Sequence, residues 1–119
     1  MANVGIALPG TAIQGQVRWF AALIDTGASC TCIAATAATA IGVLPVGKQP
    51  MVSATGAEPV NQYIVDLLLP FNPPIVLSSL QTLEFVQAIQ SPYQMLLGRD
   101  VLCRGIFTMN FNGTYTFCI

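Results

Sequence analysis

The chain is a series of short apolar segments, many of them closed by glycine or proline. Ten glycines and eight prolines interrupt its 119 residues, and the segments between them are rich in β-branched and aromatic residues, which suit strands. Strands are predicted over residues 4–8, 17–24, 31–33, 50–53, 60–69, 75–77, 83–89 and 93–97, and residues 107–119 are predicted to contain a reverse turn at Asn112-Gly113. Many short strands separated by turns predict one all-β domain spanning residues 1–119.

Two short helices interrupt this pattern. Residues 34–41 are rich in alanine and threonine and are followed by Gly42, a typical helix stop. Residues 99–104 form the second predicted helix, which ends at Gly105.

The composition excludes several classes of function. Charged residues make up only 8% of the chain and the net charge is −1, which argues against nucleic acid and anionic membranes as partners. No apolar run approaches the roughly 18 residues of a membrane span. The N-terminus lacks the basic start and long apolar stretch of a signal peptide, so we expect a cytoplasmic protein. A surface with so few charges must expose apolar area, which favours an oligomer.

The four cysteines are expected to be reduced and buried. Cys30 and Cys32 are two residues apart and share one face of a strand, whereas Cys103 and Cys118 are remote. The chain has no histidine and no Cys-x-x-Cys pair, so a zinc site would need an unusual spacing of ligands. Buried, hydrophobe-like cysteines are the favoured interpretation.

Asp25 is the strongest candidate for chemistry. It ends the apolar strand 17–24 and is one of only five acidic residues. Burial of a carboxylate is costly, so the site should supply hydrogen bonds or a partner. Thr26 offers a hydroxyl, and Gly27 lets the backbone turn and present its N–H groups. The same residues are also typical of a plain strand followed by a polar turn.

Two hairpins are predicted. Residues 50–53 and 60–69 flank a tip at residues 54–57, and Pro59 implies an unpaired edge, so this hairpin should project from the sheet as either a mobile lid or an ordinary exposed hairpin. At the C-terminus, a three-residue loop over residues 111–113 pairs Met109 with Tyr115 and Phe107 with Phe117. That register gathers these four apolar side chains on one face, as a buried face requires.

Two motifs in this order resemble one known family. The run Asp25-Thr26-Gly27-Ala28 after two apolar residues, and Leu96-Leu97-Gly98-Arg99-Asp100 late in the chain, resemble the signatures of retropepsin-like aspartic proteases. The hairpin over residues 51–69 lies where that family has its flap. The resemblance implies a closed β-barrel of the acid-protease fold, with one or two short helices and a flap hairpin.

The resemblance also implies the activity. Peptide hydrolysis by this route needs two carboxylates around one water, and the chain has a single Asp-Thr-Gly, so a homodimer is expected to join two Asp25 residues. Asp25, Thr26 and Gly27 are the predicted catalytic residues, and no cofactor or metal is required. The predicted substrate-binding residues are Ala28, Ser29, Ser53, Ala54, Thr55, Gly56 and Ala57. The predicted structural supports are Leu96, Leu97, Gly98 and Arg99.

The sequence departs from the retroviral pattern at two places. An acidic partner for Arg99 is expected shortly after the signature, but Ser29, Cys30 and Thr31 stand there, so Arg99 must pair elsewhere. The hairpin tip contains one glycine, Gly56. Three functions remain open: an aspartic endopeptidase, a retropepsin-like dimer that binds peptide or a partner protein without cutting it, and a structural β domain in which Asp25 is a turn residue.

Overall fold

The computed structural model describes residues 2–10, 17–53, 56–71, 73–85, 92–109, 111–112 and 114–118. Strands dominate this part of the chain, and both helices are short. In chain order the elements are β1 (Ala2–Ala7), β2 (Arg18–Ile24), β3 (Cys32–Ala34), α1 (Ala35–Ile41), β4 (Gly47–Ser53), β5 (Gly56–Leu69), β6 (Ile75–Phe85), β7 (Met95–Leu97), α2 (Arg99–Leu102), β8 (Ile106–Met109) and β9 (Tyr115–Cys118).

The main sheet closes on itself. Its strand order is β1-β2-β7-β3-β6-β5-β4, and β1 also pairs with β5, so six strands form a closed barrel with β4 attached outside. Closure brings three chain segments together at Gly5, where an added Cβ would lie 2.6 Å from the Val17 side chain and 3.1 Å from that of Leu68. The barrel interior is filled by fully buried aliphatic side chains, among them Ile6, Ile33 and Val65. The all-β barrel expected from the sequence is therefore confirmed.

The hairpin β4–β5 is longer than predicted. Its pairing runs from Gly47 opposite Gln62 to Ser53 opposite Gly56, so Gly56 and Ala57 belong to β5, and their assignment to the tip was wrong. Residues 54 and 55 lie outside the described residues. Pairing of β5 with β6 begins only at Gln62, so among the described strands the outer part of β5 pairs with β4 alone. The hairpin thus projects from the barrel, as Pro59 predicted.

A second difference concerns residues 75–85, which form one strand where two were predicted. The continuous β6 passes through Ser79, whose φ of 54° lies in the left-handed region. Asp66 stabilises this irregular part of β6. Its Oδ1 accepts a hydrogen bond from the Ser79 amide at 2.9 Å, and its Oδ2 accepts one from the Gly10 amide at 2.8 Å. The register between β5 and β6 shifts at the same point, so a buried carboxylate there takes the place of ladder hydrogen bonds.

Both predicted helices are present and slightly shorter than expected. Gly42 ends α1 in the left-handed conformation, and its amide donates to the carbonyls of Ala38 and Thr39. The helix α2 ends at Leu102. No helix in the described part of the chain is long and apolar enough to cross a membrane.

The C-terminal hairpin has the predicted register. Met109 lies opposite Tyr115, and Phe107 lies opposite Phe117; the positions of Asn110 and Gly113 fall outside the described residues. In a single chain this face is not buried, so that prediction was wrong. Met109 is 57% exposed and Tyr115 is 38% exposed. Phe117 packs against the core, and its ring lies 6.1 Å from that of Phe71.

The double acceptor role of Asp66 generates a stability prediction. Asp66 is 3% exposed, and the substitution Asp66→Asn replaces one of its accepting oxygens with an NH2 that faces a backbone N–H. We expect the free energy of unfolding in urea to fall by about 1–3 kcal/mol. The control is Asp25→Asn, because Asp25 is less buried and its carboxylate accepts one backbone bond from the described residues; an equal loss in both variants would contradict the assignment.

Candidate active site

Asp25 lies at the end of β2, where the chain leaves the barrel. The strand β2 runs parallel to β7, with Leu23 opposite Leu96 and Ile24 opposite Leu97. Beyond the last pair the Asp25 amide donates to the Leu97 carbonyl at 2.9 Å. The parallel pairing therefore continues up to the candidate catalytic residue and fixes where its side chain begins.

The loop after Asp25 turns back on its carboxylate. The Gly27 amide donates to Asp25 Oδ1 at 3.0 Å, and the Ala28 amide donates to the Asp25 carbonyl at 3.2 Å. Asp25 is half-buried, whereas Thr26 and Gly27 are exposed. An added Cβ on Gly27 would lie 3.3 Å from Oδ1. The loop thus presents a carboxylate and a hydroxyl-bearing residue together at the protein surface.

The second motif, residues 96–100, contacts this loop through its backbone. The Arg99 amide donates to the Ala28 carbonyl at 2.8 Å, while the Arg99 side chain is exposed. Gly98 has no room for a side chain, because an added Cβ would lie 2.6 Å from both the carbonyl carbon and the oxygen of Cys30. The backbone of residues 97–99 therefore contacts the Asp25 loop directly, and the supporting role expected for this motif stays a prediction.

Thr31 and Asp100 complete the support, and sequence reasoning missed both roles. Asp100 accepts the Thr31 amide at 3.0 Å and the Thr31 hydroxyl at 2.8 Å, and the same hydroxyl accepts the Gly98 amide at 3.2 Å. The acidic group linked to this loop is thus Asp100, the neighbour of Arg99. Its place at the start of a helix was visible in the sequence, but nothing in the sequence pairs two residues 69 positions apart.

A cleft opens beside the loop. A cavity of about 390 Å³ is bounded on the loop side by Ala28 and Ser29, two of the predicted substrate-binding residues. The strand β4 contributes Pro50 to its lining, and β6 contributes Leu83 and Phe85. The arm of the projecting hairpin therefore forms part of the cleft wall. Ser53, Gly56 and Ala57 belong to the far end of that hairpin, while Ala54 and Thr55 lie outside the described residues.

Two thiols also line this cleft, Cys30 and Cys32. Burial, followed by the charge of Asp100, raises the pKa of Cys30. Burial also raises the pKa of Cys32 to about 12, with the neighbouring Cys30 adding to the effect. The expectation that the cysteines are buried holds for Cys32 but was wrong for Cys103 and Cys118, which are exposed.

Across the described residues, no group of three or more histidine, cysteine, aspartate or glutamate side chains is placed to hold a metal ion.

The Thr31 hydroxyl generates the second stability prediction. In Thr31→Val the Gly98 amide loses its acceptor and Asp100 loses one donor in a buried place, so unfolding should become easier by about 1–3 kcal/mol. Thr31→Ser keeps the hydroxyl and serves as the matched control, with most of the stability retained. Chemical denaturation of the three proteins measures the difference. Equal destabilisation by both substitutions would show that the methyl group, rather than the hydroxyl, matters here.

Comparison with known proteins agrees with this geometry. A family model described as aspartyl protease matches residues 11–101, a stretch that contains both the Asp25 loop and the Gly98 support. None of the curated proteins matches the chain. The match covers well over half of the sequence, and the structure combines a closed β-barrel with an exposed Asp-Thr-Gly loop. The chain accordingly belongs to the retropepsin-like aspartyl protease family.

Proposed function

We propose that the protein is a homodimeric aspartic endopeptidase in which each chain supplies one Asp25. The observation that carries the proposal is the single Asp-Thr-Gly-Ala run, placed at the surface on a loop held by residues 97–100. Asp66 and Asp100, the other aspartates, are occupied by backbone and threonine donors. In this proposal the second carboxylate therefore comes from another chain.

An exposed apolar surface supports the dimer. On the C-terminal hairpin β8–β9, Ile106 is 72% exposed and Met109 is 57% exposed, and Phe111 at its tip is fully exposed. Exposed apolar area of this kind is typical of interfaces. The hairpin adjoins the candidate site, because Tyr115 and Phe117 line one apolar pocket together with Ile24. A second chain that covers this hairpin would lie next to Asp25.

The chemistry then follows from two facing carboxylates. Close together, they cannot both ionise cheaply, so the pair holds one shared proton. The ionised carboxylate takes a proton from a water molecule, which attacks the peptide carbonyl, while the protonated carboxyl donates to the carbonyl oxygen. In this proposal the Gly27 amide orients one oxygen of Asp25, and the exposed Thr26 hydroxyl bonds across the twofold axis to lock the two loops.

The substrate in this proposal is an extended peptide. It lies along the cleft between the Ala28–Ser29 backbone and the hairpin β4–β5, which acts as the flap and pairs with the peptide main chain as an added strand. The cleft wall is formed by Pro50, Leu83 and Phe85, so it suits uncharged side chains. All four cysteines are free, which suits the reducing cytoplasm as the working compartment.

A mixed-dimer experiment tests the shared site. If each chain supplies half of the pair, adding an equal amount of Asp25→Asn chains to a fixed amount of wild type should lower activity to about one half, because random pairing leaves half of the wild-type chains in mixed dimers. A ninefold excess should lower it to about one tenth on the same count. The readout is cleavage of a broad peptide pool after the chains have been mixed under conditions that allow exchange.

Two controls make the result decisive. Cleavage must be blocked by a statine-type inhibitor, which mimics the tetrahedral intermediate. Asp25→Asn alone must be folded and inactive. Activity that depends only on the amount of wild type, whatever mutant is added, would count against a shared site. Inhibitor-sensitive retention of peptides without any cleavage would favour the non-catalytic peptide-binding dimer.

The pH dependence gives a further prediction. A pair that must hold one proton works only between its first and second ionisation, so the rate should be bell-shaped with an optimum below neutral pH. Ala28 offers no hydroxyl to the ionised carboxylate. A donor there would favour the ionised form, and Ala28→Ser should move the bell towards lower pH. Rate profiles from pH 3 to pH 8, taken with saturating and limiting peptide, measure the shift; no movement, or movement towards higher pH, would contradict it.

A further inference from the structure

The cleft wall contains a pair of thiols that the proposed peptide chemistry does not use. The side chains of Cys30 and Cys32 interact electrostatically with each other, and the Cys32 thiol donates to the Cys30 carbonyl at 3.7 Å. Both line the cavity next to Ala28 and Ser29. Both cysteines therefore belong to the wall of one cavity.

The backbone between the two thiols is held firmly. Thr31 separates them, and both its amide and its hydroxyl are bound to the Asp100 carboxylate at 3.0 and 2.8 Å. Gly98 packs directly on the Cys30 carbonyl group, with no room for a side chain. Because the spacing of the pair is fixed by these contacts, little ordering is needed before both sulfur atoms can bind one ligand.

The surroundings determine which ligand fits. The chain contains no histidine, and the described residues provide no third cysteine or carboxylate placed to share a metal with the pair. Zn²⁺ takes four ligands in closed protein sites, which two thiols cannot supply. Sulfur ligands select soft ions such as Cu(I), and a monovalent ion of this kind is satisfied by two sulfur atoms in line. Leu96, Leu83 and Phe85 provide apolar walls around them.

We propose that Cys30 and Cys32 together form a binding site for one monovalent, sulfur-seeking metal ion, Cu(I) or its chemical analogue Ag(I), in the wall of the cleft. Binding replaces both S–H bonds with S–metal bonds and releases two protons, with no change of oxidation state. The product is a bis-thiolate complex of net charge −1. A bound ion reduces the space for a substrate side chain, so it acts as an inhibitor of the cleft; this consequence rests on the proposed peptidase function, whereas the binding itself does not.

The protonation of the thiols sets the pH dependence. Burial raises the pKa of both groups, so both carry protons at neutral pH and the metal must displace them. Affinity should therefore increase with pH until the thiols ionise unaided. Asp100, and more weakly Asp25, are the negative groups that face the pair, and they also raise the pKa of Cys32. Their charges disfavour thiolates, and the bound ion must offset that repulsion.

The test uses Ag(I) as the probe on the 119-residue chain. A background variant, Cys103→Ser with Cys118→Ser, removes the two exposed thiols, which would bind the ion independently. Isothermal titration at several pH values and in several buffers then measures stoichiometry, affinity and proton release. Cys30→Ser and Cys32→Ala are the test variants, and circular dichroism checks that each remains folded. Because Cys30 is only half-buried, its variant keeps the test valid if Cys32→Ala fails to fold.

We expect one ion per background chain, two protons released per ion, and affinity at least about tenfold lower in Cys30→Ser, which corresponds to 1.4 kcal/mol or more. X-ray absorption of the Cu(I) form, prepared with a competing chelator, should show two sulfur neighbours. Unchanged affinity in Cys30→Ser, or binding that disappears in the background variant, would overturn the proposal. Ion binding without any peptide cleavage would support the metal site and count against the proposed function. Cleavage that continues at full rate with the site occupied would overturn the inhibitory role.

Discussion

The structure depends on the contact between the Asp25 loop and residues 97–100. Backbone hydrogen bonds link Asp25 to Leu97 and Arg99 to Ala28, and the Asp100 carboxylate holds Thr31 at the other end of the loop. Both ends of the loop are therefore fixed to a strand and helix that belong to the barrel. A carboxylate can be presented half-exposed in a defined position only because its supporting backbone is hydrogen-bonded in this way.

Barrel closure and the exposed hairpin are two consequences of the same apolar composition. Six strands close around an aliphatic core, which leaves no open edge among them. The hairpin β8–β9 lies outside that closure and contacts the barrel mainly at Phe117, so its remaining apolar side chains stay exposed in one chain. Only 8% of the residues are charged, and in the proposed dimer a second copy would cover these apolar side chains and complete the catalytic pair.

The cleft combines one surface carboxylate with a neutral wall. Raised pKa values keep Cys30 and Cys32 protonated, so the thiols add no charge beside Asp25. Hydrophobic side chains from β6 and β7 form the rest of that wall. The same segment thus has two roles: Thr31 is hydrogen-bonded to Asp100, and its two neighbours line the cleft.

Local sequence patterns were sufficient for the elements and for the family. Alternating apolar segments, Gly42 after an alanine-rich stretch, and the register of the C-terminal hairpin are all encoded by residues close together in the chain, and they were predicted correctly. The Asp-Thr-Gly loop and the Gly98 motif were recognisable for the same reason. Contacts between distant residues were not. Asp66 joins Gly10 to Ser79 and merges two predicted strands into one, Asp100 binds Thr31, and the pairing of β4 with β5 absorbs two residues assigned to a turn. Whether an apolar face is buried also depends on what packs against it, so the exposure of Met109 and Tyr115 was decided by the tertiary structure alone.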